Sequence, residues 1–192
     1  MSPSYSLKSH EPLFAELRKI SSRAEITIEE VPAPQKLAPF AIAFSADVLD
    51  GPSEDEETEA AATGRFVLLH DPHGQEGWSG DYRCVTYVRA SIDTEMASDP
   101  LLCDIGWSWL TDALKENGCS YGSESGTVTR VASSTYGMLE GREGESEIEI
   151  RASWTPLNEE SLAGHLRAWM KVLEIAAGLE PVPPGVSQMI RR

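Results

Sequence analysis

The sequence predicts an α+β fold, with a single antiparallel β-sheet of about five strands packed with three helices in the order α-β-β-β-α-β-β-α. Several segments alternate between apolar and polar residues, which is typical of strands with one buried face. Three other segments carry apolar residues at helical spacing. Connections between neighbouring strands are mostly short, and this favours antiparallel pairing within one sheet covered by helices.

The first half of the chain begins with a helix and continues into strands. Apolar residues at helical spacing over residues 13–20 predict the helix, with Pro12 tolerated in its first turn. The sequence "EITIEEV" that follows alternates and is interpreted as an extended segment. Alternation then predicts three strands, at residues 40–48, 65–71 and 82–92.

The second half returns to a helix and then to strands. Asp99 followed by Pro100 predicts a helix start, because aspartate accepts free backbone amides and proline at the first helical position wastes no donor. We expect this helix to run to about Asn117 and to stop at Gly118 in a left-handed conformation. Two strands, at residues 125–137 and 146–154, and a last helix ending at Gly178 complete the chain.

The length of 192 residues fits one domain, which we place at residues 1–180. A proline-rich linker at residues 32–39 and a flexible acidic loop at residues 50–64 interrupt it, because neither has the apolar pattern of a packed element. Residues 181–192 are rich in proline and are expected to form an extended tail.

The composition limits the classes of partner. Acidic residues number 31 against 16 basic ones, a net charge of −15, so nucleic acid and anionic membranes should repel the chain. No apolar run approaches the roughly 18 residues of a membrane helix. The three cysteines have no metal-like spacing and are interpreted as free thiols, which suits a reducing cytoplasm.

The stretch "DIGWSWL", residues 104–110, belongs to the central helix. Its apolar residues sweep a wide arc, which predicts that the helix is covered on two sides. Gly106 lies near the centre of this arc and is expected to permit close backbone approach of a strand or a second helix. Trp107 lies at the edge of the arc, where it could face a ligand, although aromatic residues at this spacing are usually core.

The turn "HDPHG" is the only local pattern that suggests metal chemistry. His70 and His73, flanked by Asp71, could hold a divalent ion if a third ligand came from elsewhere in the chain. The same residues are ordinary turn chemistry. We assign no catalytic residue and no cofactor, because the sequence has no nucleophile elbow and no phosphate-binding loop.

The second face of the predicted sheet lacks the charged residues of a solvated surface. On this face only Arg83, Arg89 and the strand near Arg151 are predicted to be exposed to solvent. An apolar face of this size is expected to be covered, either by the N-terminal helix or, preferably, by a second copy of the chain in a two-fold homodimer. Candidate binding residues are Trp107, Tyr87, Val85, Leu69 and Trp78.

The stretch "GWSGDYRCVTYVRASIDTEMASDPLLCDIGWSWL", with "SGTVTRVAS", "EIEIRASWTP" and "PPGVSQMIRR", resembles an uncharacterised actinobacterial family, domain of unknown function 3000. The resemblance covers most of the chain from about Leu37 onward and implies a cytoplasmic bacterial protein. Separately, the order of elements is similar to that of type III secretion chaperones and YbjN-like proteins, which are small acidic dimers that bind other proteins. This second resemblance is one of topology alone.

Together these observations favour a non-enzymatic protein-binding or chaperone-like module, acidic and homodimeric. The alternative is a small-molecule or metal-dependent enzyme that uses the turn formed by His70, Asp71 and His73.

Overall fold

The computed structural model describes residues 11–49, 60–141, 145–159 and 162–181. Within these ranges the structure contains both helices and strands, and one short 3₁₀ turn at Gly137–Leu139. The elements are α1 (Glu11–Arg18), β1 (Ile26–Val31), β2 (Phe40–Val48), β3 (Ala62–His70), β4 (Tyr82–Ser91), α2 (Thr94–Ser98), α3 (Leu102–Glu116), β5 (Tyr121–Ala132), β6 (Ser146–Pro156) and α4 (Leu162–Ala176).

The strands form a single six-stranded sheet in the order β1-β2-β3-β4-β6-β5, and every neighbouring pair is antiparallel. The α+β class and the single antiparallel sheet are therefore confirmed. The described residues contain one more strand and one more helix than the sequence predicts. The additions are β1, which the alternation of "EITIEEV" indicated only as an extended segment, and the short helix α2.

Several predicted segments have different ends in the structure, and the strand predicted at residues 125–137 is β5, Tyr121–Ala132. The strand β3 begins at Ala62 instead of Arg65, so the last residues of the predicted loop 50–64 belong to the sheet; residues 50–59 lie outside the described part of the chain. The segment 32–39 connects β1 to β2 without forming a helix or strand. The predicted tail 181–192 lies outside the described residues except for Pro181.

The main core lies between one face of the sheet and helices α3 and α4. Trp154, Trp169 and Phe66 are among its largest fully buried side chains. Gly64 of β3 makes the close approach of α4 possible, because a Cβ atom there would lie 3.0 Å from the ring of Trp169. The Trp169 indole N–H donates to the carbonyl of Tyr87 at 3.2 Å, which fixes α4 across β3 and β4.

The helix α1 packs on the same side of the sheet as α4. Phe14 and Leu17 are buried in the main core, and α1 contacts α4. The prediction that α1 could cover the second face of the sheet is therefore wrong. The reason is that β1 pairs with β2 along its whole length, which carries α1 to the edge of the core and leaves the other face to the segment 32–39.

The start of the central helix also differs from the prediction. Asp93 caps α2 by accepting the amide of Met96 at 2.6 Å. Asp99 ends α2 and accepts the amide of Leu101, so the helix α3 starts after a turn and without a side-chain cap. The left-handed stop at Gly118, with φ of 65°, is confirmed.

The wide apolar arc of α3 is only partly buried. The helix contacts both α4 and the strands β5 and β6, as the arc predicts. Gly106 is buried against side chains of the sheet: a Cβ atom there would lie 2.9 Å from Ile148 Cδ1 and 3.1 Å from Val128 Cγ1. Ile105, by contrast, remains 40% exposed. Strands do pack closely against Gly106, as predicted, but the atoms that approach it are side chains and not the predicted backbone.

A hydrogen bond between two fully buried rings joins β6 to α4. The Trp154 indole N–H donates to His165 Nδ1 at 2.9 Å, so that nitrogen of His165 carries no proton. Burial lowers the pKa of His165 to about 4, because a charged imidazolium would lose its hydration there. The imidazole is therefore neutral at pH 7 and serves as a hydrogen-bond acceptor in the core.

The three cysteines are free, as predicted. Burial raises the pKa of Cys84 well above its usual range and that of Cys119 to about 11, so both remain thiols at neutral pH. Within the part of the chain that the structure describes, no helix is long and apolar enough to cross a membrane.

Substituting Gly106→Leu should destabilise the protein by about 1–3 kcal/mol, since the added side chain would overlap Ile148 and Val128. Thermal or urea unfolding measures this change. The matched control is Asp112→Leu at an exposed position of the same helix, which should change stability much less. Equal effects of the two substitutions would contradict close packing at Gly106.

The free energy of unfolding should fall as the pH drops from about 6.5 to about 4. In this window the unfolded chain protonates His165 and the folded chain does not, so the unfolded state binds more protons. The contribution of His165 is up to about 1.4 kcal/mol per pH unit. His165→Asn keeps an acceptor for the Trp154 indole and should remove this contribution. Urea titrations of both proteins measure the free energy of unfolding at each pH in this window. If that free energy depends on pH equally in the two proteins, the assignment to His165 is wrong.

Candidate functional site

The second face of the sheet divides into a covered part and an open part. At the β2–β3 side, Ala43, Val67 and Leu69 form a small buried cluster. Residues of the segment 32–39 and Trp78 pack against this cluster. The small side chains in this contact are alanines, which let the proline-rich segment lie close to the strands: Ala33, Ala38, Ala41 and Ala43. Most of the apolar surface that the sequence predicted to need a cover is therefore covered within the chain.

Beyond the cover, the face opens into a groove across β3, β4, β6 and β5. Strand register aligns its residues in two adjacent rows. One row consists of two valines followed by two serines. The other row places an arginine on each side of a tyrosine. The first row is Val67, Val85, Ser153 and Ser125, and the second is Arg65, Tyr87, Arg151 and Thr127.

The groove has a volume of about 470 Å³, within the range of roughly 300–1,000 Å³ typical of ligand sites. Val85 on its floor is 38% exposed, although it lies at the middle of the sheet. Among the described residues that line the groove, none carries a carboxylate, while two are arginines. Because Glu149 pairs with Arg151, Arg65 supplies, among the described residues, the unpaired positive charge of the groove in a chain with a net charge of −15.

The two arginines of the groove differ in their partners. Arg151 lies over the Tyr87 ring, 5.6 Å from its centroid, and pairs with Glu149 at 2.9 Å. The Tyr87 hydroxyl donates to Glu149 at 2.9 Å; burial and this hydrogen bond raise the pKa of Tyr87. Arg65 donates to the carbonyl of Pro32, and no carboxylate within the described ranges pairs with it. Arg65 is thus the groove cation best able to bind an anion.

Arg83 lies below one end of the groove and is buried, with 8% of its surface exposed. The prediction that Arg83 is exposed to solvent is wrong. A bulge in β5, between Gly122 and Ser125, folds over it, and among the described residues its guanidinium donates only to neutral oxygens. These oxygens are Ser123 O at 2.8 Å, Thr155 Oγ1 at 3.1 Å, Ser125 Oγ at 3.3 Å and Ser153 Oγ at 2.7 Å. Burial lowers the pKa of Arg83.

Gly126 of β5 lines the groove, and the ring of Trp107 packs against it from the helix face of the sheet. A Cβ atom at Gly126 would lie 2.6 Å from the ring of Trp107, which packs against the strand from α3. Trp107 therefore lies on the opposite face of the sheet from Val85 and Tyr87.

The structure brings together two of the five candidate binding residues. Val85 and Tyr87 are neighbours on the groove floor. Leu69 and Trp78 belong to the adjacent covered cluster, where Leu69 is only 3% exposed. Trp107 packs on the helix side.

The three residues of the predicted metal turn, His70, Asp71 and His73, have different surroundings. The ring of His70 is buried and stacks on Tyr82 with centroids 4.1 Å apart. The Asp71 carboxylate accepts the His73 amide at 3.0 Å and the Gln75 side chain at 3.1 Å, so it stabilises the turn. His73 itself is exposed. No group of three potential metal ligands is present among the residues that the structure describes.

Sequence reasoning missed the polar part of the groove. Arg65, Ser125 and Ser153 come from three strands, and they meet only through the strand order β3-β4-β6-β5. In the strand β6, Ser153 and Arg151 lie on one face, away from the core. The signal that could have found the site is this pattern, an arginine and a serine two residues apart on the outer face of β6.

Fold and groove together define an α+β protein with one sheet, helices on one face and an open, arginine-lined groove on the other. The family described as "Protein of unknown function (DUF3000)" matches residues 8–187, and the chain belongs to that family. Neither the curated proteins nor the solved structures contain a match to this chain.

Proposed function

We propose that this protein is a non-enzymatic binding module that holds a short acidic segment of a partner protein in the groove. The observation that carries the proposal is the open groove itself, with an apolar floor at Val85 and Tyr87 and arginines at its margins. An apolar side chain of the partner would lie on the floor. Its acidic neighbours would pair with Arg65 and Arg151.

Charge complementarity supports an acidic segment over a neutral or basic one. The overall field of the chain is negative, so a basic partner would be drawn to the acidic surface outside the groove. Inside the groove, Arg65 has no described carboxylate partner and can form a new ion pair without breaking an old one. A bidentate arginine–carboxylate pair adds both affinity and orientation.

A second copy of the chain is the competing occupant, as the sequence predicted. A two-fold contact centred on Val85 and Tyr87 would bring the arginines of one copy against those of the other. Like charges placed together in an interface cost several kcal/mol, on the order of what a small apolar contact supplies. This repulsion favours a partner of opposite charge over a homodimer.

Selection of a displayed random-peptide library on the protein should enrich peptides that combine acidic residues with an apolar or aromatic residue. Their affinity, measured by fluorescence anisotropy, should fall with rising salt because ion pairs at the groove margin are screened. Val85→Asp should reduce it at least ten-fold, since a carboxylate on the floor repels the ligand and removes apolar contact.

The matched control is Leu101→Asp, which places the same carboxylate at an exposed apolar residue on the helix side. It should leave peptide binding unchanged. Equal losses in the two variants, or enrichment of peptides without acidic residues, would refute the proposal. Light scattering on the free protein tests the competing occupant: a dimer that Val85→Asp dissociates would assign the groove to a second copy.

A further inference from the structure

Arg83 places a buried positive charge close to the groove. It is buried, and no carboxylate in the described ranges of the chain contacts its guanidinium. Burying a charge is costly unless it is paired, so neutral hydrogen-bond partners leave much of this cost in place. An anion bound nearby would offset it.

Two of the oxygens that Arg83 contacts, Ser125 Oγ and Ser153 Oγ, line the groove. Each accepts a hydrogen bond from the same guanidinium nitrogen, so each must direct its own proton elsewhere. The two oxygens are 3.2 Å apart, and one can donate to the other. The second hydroxyl proton then remains available to the groove. Its donor strength is increased by the cation behind it.

We propose that Ser125 and Ser153, backed by Arg83, form a carboxylate-binding subsite at one end of the groove. The inference rests on the proposed function in that the carboxylate belongs to the bound acidic segment. The subsite lies in the row of Val85, so a carboxylate on the serines places its attached apolar group on the groove floor. Arg151 lies two residues from Ser153 on the same strand, roughly 7 Å away, and Arg65 lies two strands farther across the sheet; both are left for further acidic groups.

The test uses a small probe that needs no knowledge of the partner. The carboxylate 4-phenylbutyrate and its neutral isostere 4-phenylbutyramide have the same shape and differ in charge. Titration of each into the ¹⁵N-labelled protein should shift the backbone amide signals of Val85, Ser125 and Ser153. The carboxylate should bind about ten-fold more tightly than the amide, as expected for hydrogen bonds to a charged group. Equal affinities would overturn the subsite.

Variants separate recognition from folding. Ser125→Ala combined with Ser153→Ala should bring the affinity for phenylbutyrate down to that for the amide. Ser153→Thr retains the hydroxyl and should retain binding. The matched control is Ser45→Ala, on the same sheet face but outside the groove lining. Undiminished phenylbutyrate binding by a folded double variant would overturn the proposal. If the double variant does not fold, the comparison of Ser153→Ala with Ser153→Thr decides it: equal affinities refute the subsite.

The source of the carboxylate is distinguished with the peptides selected on the groove. Amidation of the peptide C-terminus removes binding if the subsite takes a terminal carboxylate; replacement of an internal glutamate by glutamine removes it if the subsite takes a side chain. Peptides that depend on Val85 but not on the two serines would leave the proposed function standing and refute the subsite. Failure of all peptides with intact phenylbutyrate recognition would refute the acidic partner and keep the subsite.

Discussion

The buried guanidinium of Arg83 is the interaction on which the second face of the sheet depends. It joins the bulge of β5, through Ser123 O, to the strand β6. Through Thr155, whose hydroxyl donates to the carbonyl of Trp78, it also holds the loop that follows β3. A planar group with five fixed donors can serve several acceptors at once, which lysine could not do in this geometry. The shape of the groove follows from these bonds.

The two faces of the sheet are stabilised in different ways. The helix face buries large aromatic and aliphatic side chains, and glycines such as Gly64 and Gly106 let the helices approach. The other face carries small residues under a proline-rich connection at one side and hydrogen-bonded polar groups at the other. Folding stability therefore resides mainly in the first face, and the second can present polar and apolar groups to a ligand.

The fold class followed from the sequence because alternation and helical spacing are local patterns. The groove did not follow, because it depends on strand order and on a bulge, both set by long-range pairing. Arg83 illustrates the difference: its alternation places it on the outer face, but only the bulge in β5 buries it. Asp99 shows a similar limit, since Asp93 six residues earlier offers the same capping chemistry and starts a separate helix.

The bulge in β5 has a further consequence at the border of the sheet. The strand β5 lies at one edge and has twelve residues, long enough to act as a template for strands of other molecules. Ser123, with φ of 51°, breaks the extended backbone and the regular row of outward amides. At the opposite edge, β1 has only six residues and carries Glu30 paired with Arg18. Both borders thus resist uncontrolled strand-to-strand stacking, so the protein can keep an open groove without becoming prone to aggregation.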